Sequence, residues 1–155
     1  DDGTYYFRTD YYLPESALRE KSDRELYKYW KSQGLLKVTE GNVTDYDFIT
    51  KDMMEFSNIV SIQKVGYDPY NSTQWAIDAT EKGLPLEQYP QNLGNFNKPT
   101  REMERLILSG RAIIDNNEIT RWCFRNVSLK SDHNGNVKPN KSLRAKKIDG
   151  AISMI

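Results

Sequence analysis

The stretch Ile59-Val60-Ser61-Ile62-Gln63-Lys64-Val65-Gly66-Tyr67-Asp68-Pro69 constrains this chain more than any other. Its first seven residues are β-prone, and Pro69 has no N–H with which to continue a ladder. Ser72 or Thr73 then offers a cap for a helix over Gln74 to Lys82, which Gly83 ends. A strand that feeds a helix is the repeating unit of α/β folds, so the strand predicted over 59–68 points to that class. This strand also ends on a carboxylate. In open α/β sheets the carboxyl ends of strands are where ligands meet the protein. Asp68 is therefore either a ligand-facing acid or a cap for the following helix.

The rest of the chain reads in the same idiom. Thr4 to Leu13 is aromatic and β-prone, and Pro14 ends it. Asp1-Asp2-Gly3 has hairpin-turn chemistry, so its natural partner is a strand preceding residue 1. A helix is predicted over Ser16 to Gln33, stopped by Gly34, followed by a short extended piece over Leu35 to Thr39. Thr44 to Asp47 supplies caps and first-turn acids for a helix running to Ile59. Leu86 to Tyr89 is a short strand candidate, Pro99 opens a helix that Gly110 closes, and Asn117 to Asn126 reads as helical. Val127–Lys130 and Asn136–Lys138 flank Ser131-Asp132-His133-Asn134-Gly135, a strong hairpin signal. Lys138 to Lys147 is a basic connector, and Ile148 to Ile155 a final helix. Residues 1–155 thus read as one α/β domain, a mixed sheet flanked by helices with a C-terminal β-hairpin. Both ends look cut, as in a piece of a longer protein.

The bulk properties narrow the partners. No apolar run approaches the roughly 20 residues of a membrane helix, so no membrane partner is expected. The lone Cys123 excludes an internal disulfide framework and fits a reducing compartment, which makes the Asn-x-Ser/Thr triplets at Asn42, Asn71 and Asn126 chance matches. The net charge of +0 hides an asymmetry: Arg121 to Lys147 holds eight basic residues against Asp132 alone, leaving 14 basic and 21 acidic residues elsewhere. A basic C-terminal third points to a polyanionic partner, or else to a solvated loop.

Nucleophile machinery is missing. Cys123 lies on an apolar helix face, His133 is the only histidine and sits in a turn, and neither GxxxxGK[ST] nor GxGxxG occurs. Carboxylates remain. Asp68 is one; Asp149, in Lys146-Lys147-Ile148-Asp149-Gly150-Ala151, is the other, where a first-turn acid beside small residues could face inward or simply cap the helix. Oxygen-rich sites without imidazole suit Mg²⁺ or Mn²⁺. Two such ions about 4 Å apart clamp the attacking and leaving oxygens of a phosphodiester.

An ordered set of motifs then carries a resemblance over nearly the whole chain: YYLPE (Tyr11–Glu15), GNVTDYDFI (Gly41–Ile49), VGYDPYNSTQW (Val65–Trp75), NKPTREMERLILSGRA (Asn97–Ala112), RWCFRNV (Arg121–Val127), DHNGNVKPNK (Asp132–Lys141) and KIDGAISMI (Lys147–Ile155). In order and spacing they resemble the nuclease domain of the large terminase subunit of tailed bacteriophages and prophages. The resemblance implies an RNase H-like fold and a Mg²⁺- or Mn²⁺-dependent endonuclease that cuts concatemeric viral DNA during packaging, in the cytoplasm of a bacterial host. It further implies double-stranded DNA, the terminase small subunit and the portal protein as partners, and an ATPase half that this chain lacks.

Of the three acidic positions in that family, Asp68 matches the second and Asp149 the third, making them the expected metal ligands. The first belongs to a strand preceding Asp1, so residues 1–155 alone are expected to bind metal weakly and cleave DNA poorly or not at all. Lys138, Lys141, Arg144, Lys146 and Lys147 are the expected phosphate contacts, and Asp47 reads as a first-turn helix acid. The competing readings are a non-catalytic module that docks DNA or portal, a degenerate prophage remnant, and a Holliday-junction resolvase or integrase on the same fold.

Overall fold

A computed structural model describes residues 3–70, 72–141 and 146–155. In chain order these form β1 (Tyr5–Phe7), β2 (Tyr12–Pro14), α1 (Ala17–Glu20), α2 (Arg24–Ser32), β3 (Lys37–Thr39), α3 (Tyr46–Ser57), β4 (Val65–Tyr67) and α4 (Thr73–Glu81). There follow β5 (Leu86–Gln88), α5 (Leu93–Leu108), β6 (Ala112–Ile114), α6 (Glu118–Arg125), β7 (Val127–Ser131), β8 (Val137–Lys141) and α7 (Asp149–Met154). The mixed α/β class is as expected. In place of one layer of sheet, the described strands form four two-stranded ladders: β1–β6, β2–β3, β4–β5 and β7–β8. β1–β6 and β4–β5 are parallel, β7–β8 antiparallel.

The chain divides into two compact units: residues 1–11, 28–37 and 92–155, and residues 12–27 and 38–91. In the second, the expected strand over 59–68 shrinks to three residues. Ile59 and Val60 instead close the end of α3, their N–H groups bonding to Phe56 O at 2.9 and 3.1 Å. β propensity without a partner does not make a strand, and β5 offers β4 only Leu86, Glu87 and Gln88. Trp75 of α4 ties this unit together. Its indole packs on Tyr46 of α3 at 5.8 Å and edge-on to Tyr67 of β4 at 5.7 Å. Its Nε1–H donates to Thr50 Oγ1 at 2.8 Å, and the Thr50 hydroxyl donates to Tyr46 O at 2.8 Å.

In the first unit, β1 pairs in parallel with β6, whose three apolar residues between Gly110 and Asp115 are too few to show a period. The aromatic run is cut in two after Phe7, where Thr9 N–H turns to the Asp115 carboxylate at 3.1 Å. The helix expected over 16–33 likewise breaks at Lys21, whose backbone is extended (ψ 151°). Helix α5 starts earlier than Pro99. Asn92 caps it by accepting from Asn95 N at 2.9 Å, and Pro99 lies inside, with no N–H to offer the Asn95 carbonyl. The hairpin forms as expected, with Val127 opposite Lys141 and Ser131 opposite Val137. Gly135 (φ 77°) makes its turn. The expected basic connector is shorter than 138–147, because Lys138 to Lys141 are strand.

Thr50 is 2% exposed and joins α3 to α4 through both roles of one hydroxyl. Replacing it by Val leaves the indole N–H unpaired, at a cost of about 1–3 kcal/mol in urea denaturation, whereas Thr50→Ser loses less.

Candidate functional site

Asp68 follows β4 directly and belongs to the second unit. It is half-buried, and its Oδ1 accepts from Tyr70 N at 3.1 Å, an Asx-type turn. The Ser72 hydroxyl donates to the Asp68 carbonyl. Ser72 precedes α4 without capping it by its side chain, and the Asp68 carboxylate bonds to none of the described helix N–H groups. The Asp68 backbone is thus fixed by the Tyr67–Trp75 packing before it and by Ser72 after it.

Asp149 belongs to the first unit and is the first residue of α7. It is not the cap: Ile148 holds that position and makes no side-chain cap bond. Nor does its side chain face inward. Asp149 is exposed, while Ile148, Gly150 and Ala151 are buried beneath it. Cys123 of α6, 2% exposed, lies near enough to this turn to feel the Asp149 charge and the backbone of Gly150 and Ala151. Burial pushes the Cys123 thiol pKa up, and the Asp149 charge pushes in the same direction. A buried, uncharged thiol is no nucleophile.

Among the described residues neither Asp68 nor Asp149 is paired with a Lys or Arg. Asp47, by contrast, is ion-paired with Lys82 at 3.0 Å, in keeping with a helix acid. Two acids left without cationic partners are hard oxygen donors of the kind Mg²⁺ or Mn²⁺ takes. Asp68 and Asp149 lie in different units, and among the described residues no three His, Cys, Asp or Glu side chains form a metal-binding group.

The basic residues separate by register. Lys138 of β8 stands directly opposite Lys130 of β7, and Ser128 pairs with Asn140 two positions along. With the period of two, these four side chains share one polar, basic face of the hairpin. Lys141, opposite Val127, shares the other face with Leu129 and Pro139. Lys146 is half-buried and Lys147 exposed just ahead of α7, and Arg144 lies outside the described residues. Lys130 was not singled out in sequence, although counting back from the Asp-His-Asn-Gly turn pairs it with Lys138. Asp115 was missed as well. It ends β6 and accepts from Thr9 N and, at 3.4 Å, from the Thr120 hydroxyl.

A family model for the terminase large subunit, endonuclease domain, matches residues 1–155. The chain belongs to that family. This terminase nuclease domain is similar to the terminase large subunit of Enterobacteria phage HK97, 30% identical over 158 residues that cover 99% of this chain and 31% of that protein. It is also similar to protein YmfN of Escherichia coli K12, 31% identical over 96% of this chain and 33% of that protein. It therefore spans about a third of the length of the curated relatives it matches. The crystal structure of the HK97 large terminase superposes with a TM-score of 0.88 at 30% identity, over 99% of this chain and 33% of that one. The large terminase nuclease of thermophilic phage G20c, with bound magnesium, gives 0.56 at 14% identity over 71% of this chain and 59% of that one, a likeness of fold.

The hairpin that carries Lys130 and Lys138 turns on Asp132. Its carboxylate accepts from Asn136 Nδ2 at 2.9 Å and from the backbone N–H groups of Asn136 at 2.8 Å and Asn134 at 2.9 Å. These bonds, the Asn136 side chain first, hold its pKa below the ordinary 3.8. A lowered carboxylate stabilises the turn at neutral pH, and the benefit is lost as pH falls from the ordinary value through the folded one. The protection of the Asn134 and Asn136 amides, relative to their intrinsic exchange rates, is expected to fall as pH drops below about 4, and Asp132→Asn to remove that loss.

Proposed function

We propose that this chain is the catalytic nuclease domain of a phage or prophage terminase large subunit, a metal-dependent endonuclease that cuts concatemeric viral DNA during packaging. The observation that carries this reading is the pair Asp68 and Asp149. The motif resemblance read from the sequence matches both to acidic positions of the family, and both lack a cationic partner among the described residues. Asp68 and Asp149 would hold Mg²⁺ or Mn²⁺, and the magnesium bound to the G20c nuclease supports that choice. When bound, two such ions activate water for attack and neutralise charge on the departing oxygen.

The protein's own contribution is positional. Tyr67 and Trp75 hold the turn that carries Asp68, and the buried start of α7 holds Asp149 outward. Lys130, Lys138, Lys141, Lys146 and Lys147 contact the phosphates of double-stranded DNA, with Arg144 of the same basic segment. Parallel ladders β1–β6 and β4–β5 with an antiparallel hairpin supply the mixed strand directions of an RNase H-like fold. The remaining acidic position of the family has no match in residues 1–155, so these residues alone bind metal weakly and nick DNA poorly. We also assign to the whole protein the terminase small subunit and the portal as partners and the host cytoplasm as its place of work.

Plasmid nicking by the full-length protein with Mn²⁺ tests the reading. Asp68→Asn and Asp149→Asn are each expected to lower the rate by at least about a hundredfold. Nicking unchanged in both variants supports a non-catalytic docking module instead. The double variant Lys130→Ala with Lys138→Ala should weaken DNA binding uniformly across sequences and lower the salt slope by about two. An unchanged slope removes the hairpin from the interface.

A further inference from the structure

Gly150 has no room for a side chain. A Cβ there would overlap the Tyr11 hydroxyl and come within 2.9 Å of Tyr11 Cε1 and Cζ. The tip of Tyr11 therefore presses on the backbone of the first turn of α7, one residue from Asp149. Tyr11 is held at both ends. Its carbonyl accepts from Lys37 N at 2.8 Å, and its hydroxyl shares a 2.8 Å hydrogen bond with Thr120 Oγ1. Thr120 is 1% exposed, and its hydroxyl also lies 3.2 Å from Thr9 Oγ1 and 3.4 Å from Asp115 Oδ1. Asp115 closes the set by accepting from Thr9 N. The first turn of α7 thus rests on the tip of Tyr11, which is anchored in a part-buried chain of hydroxyls ending on a carboxylate.

We propose that Tyr11 is a positioning residue for Asp149, fixing through Gly150 where the carboxylate of α7 stands when it meets a divalent cation. The inference rests on the reading of Asp149 as a metal ligand. Simple packing would need only the ring. The hydroxyl, satisfied by the fully buried Thr120, sets how closely the ring tip approaches the helix backbone, and a glycine is required to accept it. Groups that orient a metal ligand from behind typically change metal affinity by about 10–100-fold when lost.

The test uses the nucleotide-free full-length protein and Mn²⁺ titration calorimetry, with hydrogen exchange of the Gly150–Ile152 amides as a readout independent of cleavage. Tyr11→Phe is expected to weaken Mn²⁺ binding by about tenfold and to speed exchange in that turn. Thr120→Val should do the same, while Thr120→Ser, which keeps the hydroxyl, should restore wild-type binding and exchange. Gly150→Ala should weaken binding further; if it fails to fold, the Tyr11 and Thr120 variants carry the test. Asp149→Asn separates the two ways of failing. Wild-type Mn²⁺ affinity in Asp149→Asn overturns the metal reading and this inference with it. Weakened affinity in Asp149→Asn with wild-type affinity in Tyr11→Phe overturns the positioning role alone.

Discussion

A hydrogen atom is all that fits between the α-carbon of residue 150 and the hydroxyl of Tyr11. That close approach sets where α7 begins, and with it where Asp149 emerges from a turn whose other residues are buried. The contact would be costly without a partner for the hydroxyl, since a buried O–H with no acceptor or donor loses its hydration for nothing. Thr120 supplies that partner, and Thr9 and Asp115 satisfy Thr120 in turn. Around this polar chain α6 packs on α7, with Ile119, Cys123, Ile148 and Ala151 all buried and Trp122 edge-on to Trp30 at 5.3 Å.

The second unit repeats the device with different residues. Among the described residues Thr50 and Thr120 are the two largest fully buried side chains, and each bonds to the polar tip of an aromatic ring. In one unit the ring is Trp75, which packs on Tyr67 immediately before Asp68; in the other it is Tyr11, which seats the turn immediately after Asp149. A threonine hydroxyl gives and accepts one bond in a small volume, so it can lock an aromatic ring without opening the core to water. Both carboxylates therefore emerge from backbone made rigid from below, while their own oxygens stay clear of lysine and arginine among the described residues.

Asp68 and Asp149 stand out in the sequence as candidates because each interrupts a recognisable pattern: an acid before Pro69 at a strand end, and an acid where basic residues yield to an apolar helix. The hairpin and α6 were equally plain, since Asn117 and the Asp132–Gly135 turn carry their own local chemistry. What could not be read was pairing. β6 is three residues long, and its partner β1 lies over a hundred residues away. The run from Ile59 has the composition of a strand but little to pair with, so only Val65–Tyr67 keeps that form. Asp115 and Thr120 look like loop and helix surface in sequence. Their role comes only when β1 and the segment after it bring Thr9 and Tyr11 alongside. Asp149 was read as an acid that could face inward or cap the helix; it does neither, and the glycine that follows it accommodates Tyr11.

The central claim is the proposal that Asp68 and Asp149 are each ligands of a divalent cation in the whole protein. Anomalous diffraction from crystals of the full-length protein soaked in Mn²⁺ tests it most directly. The account predicts anomalous density within about 2.0–2.6 Å of the carboxylate oxygens of Asp68 and of those of Asp149. A Mn²⁺ peak coordinated by other side chains, with either Asp68 or Asp149 left uncoordinated, would contradict it.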